Sequence, residues 1–474
     1  MSVRTDTTVR RDRRLAIGGL ERGLLAHQLF RFPAKFHPPV ARRLVENYSK
    51  RGDVILDPFS GSGTLLLEAA FAGRRAIGID IDPLAVFVSK VKCARVRPKD
   101  LRTSYSLLEK AIAALRRSAQ EYRQRQHRDI TQSTMLRILR QERLWVPEIP
   151  SIQHWFRKYV VVDLARLLRA IERARVPESH REIFRLCFAS IIRSSSNADP
   201  VPVSGLEVTS HMIARDKEGR TVDPYTLFLK AADRSLAAFD QLWREFERAP
   251  HVEVKTASAV RLQDLSLPAI DVVVTSPPYH NAVDYYRRHT LEMYWLRLVD
   301  SHEERLELRP RYIGQAKVRQ GDPLVKAPLP NSSLVAWWAR EMAQEQPTRA
   351  IAFRHYVQAM HRCFAQLALL LKQGAAAVFV VGRSTWNGYE VPTERLFEAI
   401  AGPGFDLEEV LWYPVKNRYM SYTRRNGASI DKELVLVFRR NRRLARPCEP
   451  RDKVIRRSRR KRFVHSDRRE VALF

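Results

Sequence analysis

Seven short apolar runs, most of them separated by stretches of helical periodicity, constrain this chain more than any other feature. They are DVILD (53–57), RAIGID (75–80), VEVKTAS (252–258), IDVVVTS (270–276), AAAVFVVG (375–382), EEVLWYPV (408–415) and ELVLVF (433–438). Runs this short, rich in β-branched residues and bounded by polar or glycine turns, read as buried strands. TLLLEAAFAG follows the first run and LAVFVSKVKCARV the second, while FRHYVQAMHRCFAQLALLLKQG leads into the fifth and stops at Gly374. A glycine there suits a helix C-terminus. Strands alternating with helices predict an α/β fold, with a mostly parallel sheet covered on both faces. The last two runs are joined by a polar loop without a helical pattern, so they read as an antiparallel pair at one edge.

Residues 96–250 break that rhythm. They are charged and carry amphipathic segments such as LARLLRAIERA and YTLFLKAADRSLAAFDQLWREF, which predicts a helical insertion between the second and third strands. It serves either as a structural cap or as a grip on nucleic acid. The expected organisation is a flexible basic arm (1–28), a sheet domain (29–95 and 251–440), the insertion (96–250) and a basic tail (441–474). Lys and Arg number 83 against 52 acids in 474 residues, a net charge of +31. Such a balance favours a polyanionic partner, most simply nucleic acid, because neutralised phosphates release counterions. Cys93, Cys187, Cys363 and Cys448 are far apart and form no CxxC pair, which argues against a zinc site and fits a reducing, cytoplasmic setting. The charged start of the chain has no apolar core like that of a secretory signal. No apolar run approaches the roughly 20 residues of a membrane span.

The first strand runs into DPFSGSGT and then a helix. Gly61 and Gly63 permit a sharp turn and close approach of a ligand, and Thr64 is a candidate cap for the helix. No lysine follows the turn, so it is not a phosphate loop. Asp57 ends the first strand, where ligands of open α/β sheets bind. Asp80 ends the second and can accept hydrogen bonds from both hydroxyls of a ribose, with Ile81 or Asp82 near an adenine ring.

DPFSGSGT followed by GIDID, with TSPPY downstream, resembles the S-adenosylmethionine-dependent amino-methyltransferases of DNA, which modify cytosine N4 or adenine N6. The resemblance covers 30–95 and 252–438. It implies a Rossmann-like, seven-stranded methyltransferase sheet with an antiparallel edge. It also implies that Asp57, Pro58, Phe59, Gly61, Gly63 and Thr64 line the cofactor and that Asp80, Ile81 and Asp82 hold its nucleoside. FRFPAKFHPPVARRLV looks like the family's additional cofactor motif, placing Lys35 and His37 near the methionine end, with Pro38 and Pro39 opening a helix. Asp264 matches a position that often contacts the adenine; a solvated loop aspartate is the competing reading.

The fourth strand ends in SPPY. An exocyclic amine of a base has its lone pair delocalised into the ring and needs acceptors that hold its hydrogens and steer the pair toward the methyl group. Ser276 offers a hydroxyl, Pro277 a free carbonyl on a fixed backbone, Pro278 stiffness, and Tyr279 a flat face for a base flipped from the duplex. In the family, serine at the first position leans toward cytosine N4 and aspartate toward adenine N6. Downstream, His280, Asn281, Asp284, Tyr285 and Tyr286 are placed near the pocket mouth, the tyrosines either walling the site or simply packing. No general base is required, because the amine loses its proton to water after transfer.

Three segments are candidates to read the target: 190–205, the Arg- and Lys-rich 305–330 with Tyr312 and Gln315, and the loop 416–433 with a turn at Asn426–Gly427. A cytosine-C5 enzyme would need a nucleophilic cysteine where Ser276 stands. The RNA enzymes of similar design usually carry Asn or Asp before PPY and have a separate N-terminal domain, for which the stretch before Phe30 is too short. The sequence thus leads to a prokaryotic DNA cytosine-N4 methyltransferase using S-adenosylmethionine, acting alone or beside a restriction endonuclease. The alternatives are an adenine-N6 enzyme and an RNA amino-methyltransferase.

Overall fold

A computed structural model describes residues 10–16, 23–33, 35–200, 205–246, 251–280, 285–315, 317–382, 384–386, 389–415 and 432–442. The tail from 443, the Asn426–Gly427 turn, Asn281 and Asp284 lie outside the described residues. All seven expected strands form, and an eighth joins them. In chain order the sheet strands are β1 (Arg10–Arg14), β2 (Val54–Asp57), β3 (Arg75–Asp80), β4 (Val252–Thr256), β5 (Ile270–Thr275) and β6 (Leu371–Gly382). A small separate hairpin, β7 (Ser384–Trp386) and β8 (Tyr389–Val391), precedes β9 (Phe405–Pro414) and β10 (Lys432–Arg440).

The strand order is β1-β9-β10-β6-β5-β2-β3-β4. Pairing is parallel from β6 through β5, β2 and β3 to β4, while β10 runs antiparallel to both β6 and β9. The last two expected strands, β9 and β10, thus pair antiparallel near one edge as expected, with β10 one place in from β9. The rim beyond β9 is β1, which pairs parallel to it. The basic arm is thus not loose throughout. Leu15 is buried and its N–H donates to the Trp412 carbonyl at 2.8 Å. The Arg14 guanidinium stands 5.9 Å from the Trp412 ring centroid, and Arg13 pairs with Glu409 at 3.6 Å. Charge on an outermost strand discourages pairing with another chain.

Strand periodicity sorts the core onto two faces. Val272 and Val274 of β5 join Ile55, Ala376 and Val378 in one cluster, while Val273 joins Leu56, Ile77, Ala377 and Phe379 in the other. The first face is covered by α1 (Pro38–Tyr48), α2 (Thr64–Phe71) and α3 (Pro83–Lys92) together with helices of the insertion. The second is covered by the helix Pro347–Leu370 and its neighbours. The insertion shares one continuous apolar core with α1–α3. Its helices Lys158–Arg173 and Glu178–Ser195 bury wide stripes, and Trp295, beyond β5, stands edge-on to Phe156 and Phe188 from that region.

The chain passes from β2 to β3 and β4 on one side and then returns to place β5 on the other side of β2. The tips of β2 and β5 accordingly flank the point where the strand order reverses, the place where open α/β sheets bind ligands.

Candidate active site

The turn after β2 is built by its glycines and by hydrogen bonds from neighbouring elements. Gly61 and Gly63 adopt φ of +48° and +69°, the left-handed region that glycine enters without steric cost. A Cβ on Gly63 would also stand 2.8 Å from Ser89 Oγ and 3.2 Å from its Cα, so α3 packs directly on the turn. Ser89 Oγ donates to the Gly61 carbonyl at 2.8 Å, and the buried Lys92 ammonium donates to the Ser62 carbonyl at 2.7 Å. Burial lowers the Lys92 pKa to about 7. The cap of α2 is Gly63, not Thr64, which is the first helical residue and whose buried hydroxyl has no partner.

Asp57 is buried at the end of β2. Its Oδ1 accepts from the Phe59 N–H at 3.1 Å and from Thr275 Oγ1 at 2.7 Å. The second bond crosses from β5 and fastens the two strand tips together, a role for Thr275 that nothing in its local sequence announces. Burial pushes the Asp57 pKa up to about 7, with the Thr275 and Phe59 hydrogen bonds opposing the rise. Asp80 Oδ2 accepts from the Gly61 N–H at 2.8 Å and its Oδ1 from the Asp82 N–H at 2.9 Å. Its own ionisation is disfavoured by burial. Asp82 caps α3, its Oδ1 accepting from the Leu84 and Ala85 N–H groups at 2.8 and 3.3 Å, and its carboxyl also faces the Tyr312 hydroxyl. Burial, and then the adjacent Asp80 charge, raise the Asp82 pKa to about 7.

These tips open into one cavity of about 100 Å³. It brings together Lys35, Asp57, Pro58, Phe59, Gly61, Thr64, Asp80, Ile81 and Asp82 with Ser276 and Pro278 of the strand-end turn. Lys35 is fixed by donating to the His27 carbonyl at 2.6 Å, and burial lowers its pKa. Five expected residues stand outside the lining: His37, Gly63, Asp264, Pro277 and Tyr279. His37 occupies the cap position of α1, so Pro38 and Pro39 do open a helix. Asp264 is exposed and pairs with Arg261 at 2.8 Å, a local ion pair at the end of a 3₁₀ turn. It corresponds to the solvated-loop reading rather than to a cavity residue.

Tyr279 stands beside the cavity. A Cβ on Gly382 would come within 2.6 Å of its ring, so the ring lies against the end of β6. Its hydroxyl donates to Glu433 Oε1 at 2.8 Å, and the Tyr413 hydroxyl donates to Glu433 Oε2. Glu433 stands opposite Gly382 on one side and Tyr413 on the other in the β6–β10–β9 register. Burial, then the Glu433 and Tyr413 neighbours, hold the Tyr279 phenol well above its ordinary pKa, so it stays a donor. Glu433 was not foreseen, because it opens an apolar run and its partners arrive from three other parts of the chain. Replacing it with leucine leaves two phenols without their acceptor. Glu433→Leu is expected to lower turnover about tenfold while ligand binding at the glycine turn stays near wild type, as read by steady-state kinetics and calorimetry.

His280 turns away, its ring 5.7 Å from Phe353 and 5.5 Å from Tyr356 on the opposite face, and burial lowers its pKa to about 4. Tyr286 is a packing residue, with its ring centroid 5.9 Å from that of Tyr312 and beneath Arg305 at 4.5 Å. Arg311, Tyr312 and Ile313, expected to face the target, line the cavity instead. Gln315 spends its amide on the Arg309 and Tyr312 carbonyls, the latter at 2.8 Å, so it holds its own loop rather than offering itself to an adenine.

Comparison with known proteins agrees with this geometry. A family model described as "DNA methylase" matches residues 10–90. The chain is 26% identical over 294 residues to the type II methyltransferase M.MvaI of Kocuria varians, covering 60% of each protein. It is 24% identical over 276 residues to M.BsoBI of Geobacillus stearothermophilus, covering 57% of this chain and 52% of that one. It is 21% identical over 460 residues to M.AvaI of Nostoc sp., covering 87% and 86%. The alignments thus take in 60% and 52% of the lengths of the first two of these relatives. With the glycine turn, the acidic strand tip and the SPPY turn meeting at one cavity, the chain is similar to the DNA amino-methyltransferases of the N4/N6 family.

Proposed function

We propose that the protein methylates DNA, transferring the methyl group of S-adenosylmethionine to the exocyclic N4 amine of cytosine. The observation that carries the reading is the shared cavity: Ser276 and Pro278 line the same space as Phe59, Gly61 and Asp80. The lining also fits the cofactor chemically. The hydroxyls of Ser60, Ser62 and Thr64 are buried there without partners, and buried polar groups are ordinarily satisfied. A nucleoside joined to an amino acid offers such partners along its length. When bound, S-adenosylmethionine would supply an electrophilic methyl group for the amine nitrogen, with sulfur as the leaving atom that keeps the electron pair and water as the acceptor of the amine proton.

The residues of the chain then do three things. Asp80, held by two backbone N–H groups, takes the ribose hydroxyls, and Lys35 faces the carboxylate of the amino-acid end. Ser276 and the Pro277 carbonyl accept from the amine hydrogens and turn its lone pair toward the methyl group. Tyr279 supplies the stacking face for the extruded base. No side chain need act as base, and His280 is on the wrong face to do so. Positioning of this kind supplies most of the rate gain. The excess of Lys and Arg gives the electrostatic attraction to phosphate.

Serine at the first position of SPPY supports cytosine N4 over adenine N6. The test is nucleoside mass spectrometry of unmethylated genomic DNA incubated with the protein and S-adenosylmethionine. N4-methylcytosine is the expected product. N6-methyladenine would reassign the target base, and label in RNA but not in DNA would reassign the substrate.

A further inference from the structure

Residues 309–315 belong by sequence to a basic, base-reading segment, yet they lie across the cavity. Tyr312 is only 6% exposed. Its hydroxyl faces the Asp82 carboxyl, an interaction that raises the phenol's pKa after burial has done so and opposes the rise at Asp82, but neither the hydroxyl nor Asp82 Oδ2 has a hydrogen-bond partner in good geometry. Both residues line the cavity, with Asp80 and Ile81 between β3 and α3. A buried phenol that lines the cavity and meets Asp82 only in poor geometry can turn its hydroxyl to a ligand atom, since an under-satisfied hydroxyl is costly to keep buried.

The same segment reaches the catalytic turn. Gly314 has φ of +85°, and a Cβ there would stand 2.9 Å from the Tyr279 carbonyl oxygen and 3.4 Å from Pro278 Cβ. Gln315 ties the segment into a closed loop through the Arg309 and Tyr312 carbonyls. Gly314 itself does not line the cavity. One short strap therefore touches the nucleoside end of the cavity through Tyr312 and the backbone of the SPPY turn through Gly314.

Building on the methyltransferase reading, we propose that Tyr312 contacts the cofactor, donating a hydrogen bond to its nucleoside half. We further propose that the Arg309–Gln315 strap couples cofactor occupancy to the placement of the catalytic turn. Coupling of this kind is reciprocal. A change at the turn end of the strap must alter cofactor affinity, and a ligand at the Tyr312 end must steady the turn.

The test uses the full chain and S-adenosylhomocysteine, which binds without reacting, in calorimetric titrations of wild type, Tyr312→Phe and Gly314→Ala. Tyr312→Phe is expected to weaken binding about tenfold while changing the melting temperature of the ligand-free protein by no more than the loss of one poorly aligned contact to Asp82. Gly314→Ala is expected to weaken the same binding severalfold, although the residue is outside the cavity, and to slow turnover with it. Tyr312→Phe binding within twofold of wild type overturns the cofactor contact. Slowed turnover in Gly314→Ala with unchanged affinity overturns the coupling. Both of those results leave the methyltransferase reading standing, whereas a wild-type protein that binds no S-adenosylhomocysteine removes that reading and the strap's role together.

Discussion

Tyr279→Ala is expected to cut methyl transfer to DNA by two to three orders of magnitude while leaving the affinity for S-adenosylhomocysteine within about threefold of wild type. Base–aromatic stacking contributes about 1–3 kcal/mol, which alone is about one to two orders of magnitude, and a misplaced amine costs up to about a hundredfold more. The split between turnover and binding follows from where the ring sits. It lies against Gly382 with its hydroxyl on Glu433, beside the cavity but not in its lining. Removing it therefore spares the glycine turn and Asp80. Tyr279→Phe keeps the stacking face and loses only the bond to Glu433, so it should retain far more activity than the alanine variant. Filter binding of labelled DNA methyl groups alongside calorimetry reads both quantities. An alanine variant that loses cofactor binding in step with turnover would mean that the ring supports the fold of the cavity rather than the base.

The second large effect is at Asp80. Its carboxylate accepts the Gly61 N–H at 2.8 Å and the Asp82 N–H at 2.9 Å, so it shapes the glycine turn and the start of α3 before any ligand arrives. Asp80→Ala leaves both amides without their acceptor, at a cost of about 1–3 kcal/mol each, and removes the group proposed to take the ribose hydroxyls. Affinity for S-adenosylhomocysteine should fall at least about a hundredfold, and the melting temperature of the ligand-free protein should drop as well. Asp80→Asn preserves one carboxamide oxygen and should fall between the two. The comparison with Tyr279→Ala is the informative one: one variant loses binding and stability, the other loses turnover alone. Near-wild-type affinity in Asp80→Ala would remove Asp80 from the cofactor site.

The features readable in the chain are those whose physics is local. DVILD, RAIGID and IDVVVTS are apolar because their strands are covered on both faces, and glycines mark the turn because the backbone there enters positive φ. From these the sheet, the reversal of strand order and the meeting of Gly61, Asp80 and Ser276 follow. What escaped notice is set by distant partners. RRDRR carries no apolar pattern, yet it becomes β1 because β9 offers a free edge and Trp412 a ring for Arg14. Glu433 is one acid at the head of an apolar strand until Tyr279 and Tyr413 converge on it. Tyr312 and Gln315 share a composition with base-reading loops, and only the folded chain turns the first into the cavity and the second onto its own backbone.

If the β2 and β5 tips meet one bound cofactor from two sides, ultraviolet cross-linking of methyl-labelled S-adenosylmethionine to the intact protein, followed by peptide mapping, will mark both. Saturable label in the peptides that carry Phe59–Gly63 and Ser276–Tyr279, competed away by S-adenosylhomocysteine, is the expected result. Label confined to the helices of 96–250, or no saturable label at all, would contradict that arrangement.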